Sequence, residues 1–193
     1  MTTDLELIKC TQKGDTASFD VLVRRWERPI YNFILRYIGN REDAQDLCQK
    51  TFIRAFESLQ RLRDPQKFSS WLYQIALNTC RDRSRRKPQF VVSLDSGIGP
   101  PENLVTPPSD LPDALTHERH VRDILNKALQ SIPEEQRAVL IMKEYQGLKF
   151  REIAETLDVS INTVKSRMYY GLNALRKIFD QWDLDREKMT YEL

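Results

Sequence analysis

Three cysteines, Cys10, Cys48 and Cys80, with no CxxC pair among them, leave an odd count and no ligand spacing. That excludes a disulfide framework and a structural zinc site, and it fits a reducing cytoplasm. There are two histidines, His117 and His120, three apart. Their spacing allows a metal pair on one helix, but no cysteine or acid cluster joins them, so they read as surface histidines and no metal is expected. No stretch of about 18 apolar residues occurs, which excludes a membrane-spanning helix. The opening MTTDLELIKC lacks a basic start followed by an apolar core, so no signal peptide is expected. GxGxxG, Walker and GxSxG motifs are missing, and with them any recognisable catalytic or cofactor-binding set. The expectation is a binding protein without a cofactor rather than an enzyme.

What is present is helical and charged. Of 193 residues, 40% are apolar and 30% charged, enough for small helical cores under a charged surface, in one large domain or two small ones. The net charge of +2 hides an uneven distribution. Residues 1–88 hold 17 Lys/Arg against 11 Asp/Glu, residues 89–116 none against 4, and residues 117–193 hold 13 against 13. The stretch 88–115 also contains six of the nine prolines and two of the six glycines. It cannot sustain helices, and it reads as an acidic linker in which Phe90, Val91, Val92 and Leu94 dock locally at most. A basic first half and a locally basic helix in the second point to two modules that touch a polyanion.

Helical spacing predicts a short helix from Asp4 to Lys13, ended by Gly14. A second follows, capped by Thr16 or Ser18, with Phe19, Leu22, Val23, Trp26, Ile30, Ile34 and Ile38 inward. Pro29 should kink or break it. The third begins near Arg41 and packs Ala44, Leu47, Cys48, Thr51, Ala55 and Leu59. Phe52, Ile53 and Phe56 cannot all join that stripe, so either a further helix covers them or a protein partner does. The fourth, FSSWLYQIALNTCRDRSRRK, starts near Ser69 or Ser70 and ends with five cations in the seven residues 81–87. Cations favour a helix C-terminus, but with Trp71, Tyr73 and Asn78 nearby they also make a surface that stacks bases and holds phosphates. After the linker, Leu115, Val121, Ile124, Leu125, Ala128 and Leu129 mark a fifth helix. Ser131 caps and Pro133 opens a sixth, which Gly147 stops.

The most informative stretch is Leu148 to Lys177, two helices joined at Asp158-Val159-Ser160. Phe150, Ile153, Ala154 and Leu157 set the first; Ser160 caps the second, whose stripe is Ile161, Val164, Met168, Leu172, Leu175 and Phe179. Opposite that stripe fall Ser166, Tyr170 and Thr163, with Asn162 and Arg167 beside them and Lys165 and Tyr169 on one flank. From Val159 to Phe179 there is no acid. A helix-turn-helix presents such a face to the major groove; an ordinary helical hairpin with a solvated outer face has the same pattern.

Taken together and in order, DAQDLCQKTFIRAF, FSSWLYQIALNTCRDRSRRK, the Pro-rich linker and LQSIPEEQRAVLIMKEYQGLKFREIAETLDVSINTVKSRMYYGLNALRK resemble an extracytoplasmic-function sigma factor, the small two-domain class of the bacterial sigma-70 family. The resemblance implies an all-α fold. A first helical domain (1–88) and a helix-turn-helix domain (117–180) are joined by a flexible acidic linker (89–116), and an acidic tail (181–193) follows. It implies a cytoplasmic, non-enzymatic factor, without direct membrane insertion, that directs core RNA polymerase to promoters and helps melt the −10 element. Its implied partners are core polymerase, at the clamp helices of the largest subunit and the flap region, promoter DNA, and an anti-sigma factor.

The resemblance also assigns residues. Asp43, Asp46, Leu47, Gln49, Phe52, Ile53 and Phe56 would grip polymerase. Arg63, Lys67, Ser70, Trp71, Asn78, Arg81 and Arg85 would hold the melted −10 strand. Ser160, Asn162, Thr163, Lys165, Ser166, Arg167, Tyr169 and Tyr170 would read the −35 element. Family members often carry Arg where this chain has Lys165 and Tyr170, and Gln45 removes one acid from the usual run, giving DAQD. Two other readings stay open: a stand-alone helix-turn-helix regulator of duplex DNA, and an interaction adaptor whose basic ends are only solvated.

Overall fold

The computed structural model of the chain describes residues 2–86 and 113–182, with 86 and 113–120 as backbone only. Most of the expected linker, the tail beyond Trp182 and the side chains of His117 and His120 lie outside the described residues. Every regular element among the described residues is helical. An N-terminal bundle holds α1 (Asp4–Gln12), α2 (Thr16–Ile38), α3 (Arg41–Ser58) and α4 (Phe68–Arg86). Two 3-10 turns, Leu59–Arg61 and Pro65–Lys67, lie between α3 and α4. A C-terminal bundle holds α5 (Asp113–Ser131), α6 (Glu134–Leu140), α7 (Phe150–Leu157) and α8 (Ile161–Gln181). The residues Ile141–Tyr145 extend α6 as a π turn.

The helix starts are set by side chains that satisfy the otherwise orphaned first-turn N–H groups. Thr3 and Glu6 form a capping box on α1, and Asn40 accepts from the Asp43 amide at 3.0 Å on α3. For α2 the cap is Asp15, which accepts from Ala17 and Ser18, rather than Thr16 or Ser18. The helix α4 continues directly from the second 3-10 turn, itself capped by Asp64, so neither Ser69 nor Ser70 opens it. Ser131 does not cap α6. It belongs to the last turn of α5, where its hydroxyl donates to the Lys127 carbonyl, and Pro133 alone precedes α6. The helix α2 runs unbroken through Pro29, so the expected break is absent. Gly39 then ends α2 with a φ of 74°, a left-handed conformation that a side chain would resist.

The N-terminal core is built from Ile8, Leu22, Ile30, Ile34, Ala44, Ala55, Leu59, Leu72 and Ala76, with an aromatic series running through it. Trp26 meets Phe68 and Tyr73 edge-on, Phe33 meets Tyr73, and Phe33 stacks on Tyr37. Each such side chain contributes about 1.5–3 kcal/mol by leaving water. In the C-terminal bundle Ala128, Leu129, Val139, Ile141, Met142, Ile153 and Val164 make the core. There α8 crosses α6 at Gly171, where a Cβ would stand 2.9 Å from Leu140 Cδ1. That close approach rotates α8 relative to the predicted stripe. Val164, Gly171, Leu175 and Ile178 face in, and Ile161 and Leu172 face solvent.

The two bundles are packed against each other. The helices α5, α7 and the π turn lie on the C-terminal half of α2 and on α4. Gln130 Nε2 donates to the Arg36 carbonyl at 2.8 Å, and Arg137 Nη1 donates to the Tyr37 carbonyl at 2.9 Å. The last-turn carbonyls of α2 are thereby satisfied by side chains of the other bundle.

Candidate nucleic-acid and polymerase interfaces

The helix-turn-helix of α7 and α8 is set by local chemistry. Asp158 adopts a left-handed φ of 52° and turns the chain; Ser160 Oγ then accepts from the Thr163 amide at 3.0 Å. Lys149 and Glu152 close the start of α7, the Lys149 amide donating to Glu152 Oε2 at 2.6 Å. On the outer face Asn162, Lys165, Ser166, Tyr169 and Tyr170 are exposed, the two tyrosines at 64% and 60%, with ring centroids 5.6 Å apart. Ser160 and Thr163 share a hydroxyl–hydroxyl bond of 2.9 Å, and Ser166 donates to the Thr163 carbonyl. Arg167 stands apart from the other expected readers: it is half-buried and its guanidinium pairs with Glu135 at 2.5 Å. The face therefore offers the exposed cation Lys165 amid hydroxyls, an amide and two phenols.

The other expected nucleic-acid surface is divided. Arg63, Lys67, Ser70 and Trp71 line one cleft of about 470 Å³, together with Arg61, Asp64 and Gln74. Asn78, Arg81 and Arg85 lie further along α4, outside that cleft. Ser70 is buried, unlike the exposed side chains around it in the cleft such as Arg63 and Lys67. Tyr73, expected on this surface, is buried and donates to Gln146 Oε1 at 2.8 Å; burial pushes its phenol pKa up. The cleft is closed from the other side by Glu155 and Asp158 of the C-terminal bundle. Lys67 Nζ pairs with Glu155 at 3.3 Å, and Arg81 Nε donates to Glu134 at 3.3 Å. Glu134 also accepts from the hydroxyl of Tyr37, whose pKa is driven up first by burial and then by this bond.

Arg137 has little local signature in the sequence. It is 6% exposed and bonds the Gln130 side chain and the Gln130, Ile132 and Tyr37 carbonyls. Burial lowers its pKa, and its Nε lacks a partner. An arginine in an EEQR helix start looks like a solvated first-turn residue, and only the meeting of α2 with α5 and α6 turns it inward.

On the opposite face of the N-terminal bundle, α2 and α3 enclose an apolar groove of about 710 Å³. Phe19, Val23, Phe52, Ile53 and Phe56 line it, with Asp20, Glu27 and Glu57 at its edge. Ile53 and Phe56 are 50% and 45% exposed, and no described helix covers them. Two expected partner contacts lie deeper. Leu47 is a core residue of the inner stripe, as its spacing implied, and Phe52 joins it because α3 buries a wider stripe than that spacing gave. Asp43 pairs with Arg83 and Asp46 with Lys50, while Gln49 is exposed.

Comparison with known proteins decides what these surfaces belong to. Residues 22–88 match the family model described as sigma-70 region 2, and residues 122–175 match that described as sigma-70, region 4. The ECF RNA polymerase sigma-E factor of Escherichia coli K12 is 32% identical over 188 residues, covering 90% of this chain and 92% of that protein. The chain belongs to the sigma-70 family of RNA polymerase sigma factors. The RNA polymerase sigma-H factor of Pseudomonas aeruginosa is 29% identical over 178 residues, with 90% and 92% covered. Among solved structures, CnrH in complex with the cytosolic domain of CnrY matches with a TM-score of 0.69 at 21% identity, over 92% of this chain and 97% of that one. The sigma factor RpoE of Bartonella quintana, in complex with the anti-sigma factor NepR, matches at 0.61 and 21%, over 87% and 98%. These likenesses carry the fold. Membership makes the chain a non-enzymatic initiation factor of two helical domains, which acts with core polymerase on promoter DNA. Among the described residues no helix is long and apolar enough to cross a membrane.

Proposed function

We propose that residues 1–88 form the polymerase-binding and −10-reading unit, 89–116 the tether, whose last residues from Asp113 on already belong to α5, and 117–180 the −35-reading unit of this factor. In this reading α8 enters the major groove with Asn162, Lys165, Ser166, Tyr169 and Tyr170 toward the bases, while Arg167 holds the helix through Glu135. Arg63, Lys67, Trp71, Asn78, Arg81 and Arg85 hold the separated −10 strand, with Trp71 as the stacking ring. Ile53, Phe56, Gln49 and Asp46 meet polymerase across the α2–α3 groove, and Leu47 and Phe52 support that surface from below. The factor works in the cytoplasm and is held by an anti-sigma partner; of the two matched structures one holds a sigma factor with an anti-sigma factor, and the other holds CnrH with the cytosolic domain of CnrY.

The observation that carries the reading is the acid-free outer face of α8 behind a properly capped turn, in a chain whose other half matches region 2. Run-off transcription with purified core polymerase over a promoter library tests it. A distinct set of start sites that appears only with the chain present supports it; an unchanged start-site pattern overturns it. Ile53→Ala with Phe56→Ala should lower holoenzyme formation while leaving the helical content unchanged, because both side chains are half-exposed in the free chain.

A further inference from the structure

We infer that region 4 of this chain occupies the −10 surface of region 2 with its own carboxylates, so that Glu155 and Glu134 stand where strand phosphates must go. The inference rests on the assignment of Lys67 and Arg81 to the −10 strand. Both cations are engaged across the boundary between the bundles: Lys67 by Glu155 at 3.3 Å and Arg81 by Glu134 at 3.3 Å. Glu155 and Asp158 also wall the cleft that Trp71 lines. A carboxylate and a phosphate oxygen make the same charge-assisted bond to an ammonium or guanidinium, so the two compete for one donor.

The contact is built rather than incidental. The π turn at Ile141–Tyr145 widens the end of α6 and delivers Tyr145 and Gln146 to the N-terminal bundle. Arg36 stacks over the Tyr145 ring at 4.2 Å, and Tyr73 donates to Gln146. Arg137, buried between α2 and α5, caps carbonyls on both sides of the boundary. A set of contacts that contains no acid therefore docks the bundles, and the two acids then fall on the two cations. The −35 face is left open in the same state: Lys165, Tyr169 and Tyr170 remain exposed. Closure thus blocks one reading surface and spares the other. Opening exchanges two carboxylate contacts for phosphate contacts, so single-stranded DNA and region 4 are mutually exclusive ligands of Lys67 and Arg81.

The experiment uses the full chain and a fluorescent single-stranded 12-mer of random sequence, read by anisotropy at low salt, beside small-angle scattering of the free protein. Glu134→Gln with Glu155→Gln should tighten 12-mer binding by roughly three- to tenfold, because two partly exposed ion pairs are removed from competition. Gln146→Ala, which changes no charge, should act in the same direction more weakly and raise the radius of gyration. Circular dichroism verifies that both variants keep their helices. Equal affinity of the wild type and both variants, with an unchanged radius, overturns the inference while leaving promoter selection in the run-off assay intact. Loss of promoter selection by the wild type with core polymerase overturns the assignment of the −10 surface instead.

Discussion

The two basic surfaces of this chain are made of the same materials and differ in what their cations touch. On α8 the cation Lys165 is exposed among Tyr169, Tyr170 and Ser166, with no acid in the helix before Asp180. On α4 and the turn before it, Lys67 and Arg81 already hold carboxylates of the other domain. The difference follows from packing. The outer face of α8 is turned away from α6 by Gly171, whereas α4 is one of the elements on which the C-terminal bundle rests. Basic residues in a sequence therefore mark a surface that suits phosphate, not one that is free to bind it.

The occupied surface depends most on the aromatic core beneath it. The Phe33 ring is fully buried, 5.4 Å from the Tyr73 ring and 5.8 Å from that of Tyr37, and those two tyrosines reach Gln146 and Glu134. Phe33→Ala should cost about 3–5 kcal/mol in a urea titration of region 2, the range for an emptied aromatic site in a core. It should also separate the domains, with a larger radius of gyration before the main transition. A small loss with the domains still docked would mean that the aromatic series does not support the contact. On the free surface the corresponding weak point is Gly171. Gly171→Val places methyl groups against Leu140, and it should destabilise region 4 by about 1–3 kcal/mol, as overpacking does. The melting midpoint of region 4 measures it, and an unchanged midpoint would show that α6 and α8 can move apart freely.

Much of this was legible in the sequence. The eight helices, the capped turn at Ser160 and the inner stripe of α3 follow from periodicity and cap chemistry, because each depends on residues close in the chain. What was not legible depends on neighbours brought in from elsewhere. Phe33 and Tyr37 lie off the simple stripe of α2, and they are buried because α4 and the C-terminal bundle cover that side too. Ile161 and Leu172 were expected inside, and Gly171 turns them out. Arg167 and Arg137 share a composition with solvated arginines; an acid 32 residues away and helix ends from both domains give them their partners. The occupation of Lys67 and Arg81 has no local signature, since Glu155 and Glu134 belong to another domain.

Cation-to-alanine changes put numbers on the difference between the two surfaces. Lys165→Ala should cost about 1–3 kcal/mol of −35 discrimination if its ammonium reads a base. Run-off transcription from promoters varied one base at a time measures it, and an unaltered base preference would remove Lys165 from the reading face. Arg81→Ala should cost the free chain less than about 1 kcal/mol of single-strand affinity, because its guanidinium must first leave Glu134 and the pair is partly exposed. With Glu134→Gln as background the same substitution should cost more. Equal losses in the two backgrounds would show that Glu134 does not compete.

The thiols report the same asymmetry with the least disturbance to function. Cys10 is exposed, while Cys48 and Cys80 are buried. Burial pushes the Cys48 thiol up to about 11; burial and then the charge of Glu134 push Cys80 up as well. At pH 8 a thiol at that value carries roughly a hundredfold less thiolate than an unperturbed one, and only thiolate attacks iodoacetamide. Cys10 should therefore label first, and Cys48 and Cys80 only as the protein opens. A thiol held protonated in the folded chain contributes fully below its unfolded pKa, and for Cys48 that contribution is lost as pH rises from about 9 to about 11. The urea midpoint should fall across that window. Peptide mapping after alkylation separates the outcomes by domain state: Cys80 labelling that accelerates in Gln146→Ala, which leaves the Glu134 charge beside Cys80 in place, with Cys48 unchanged, locates the opening at the α4 surface, and equal acceleration of both assigns it to unfolding of region 2 as a whole.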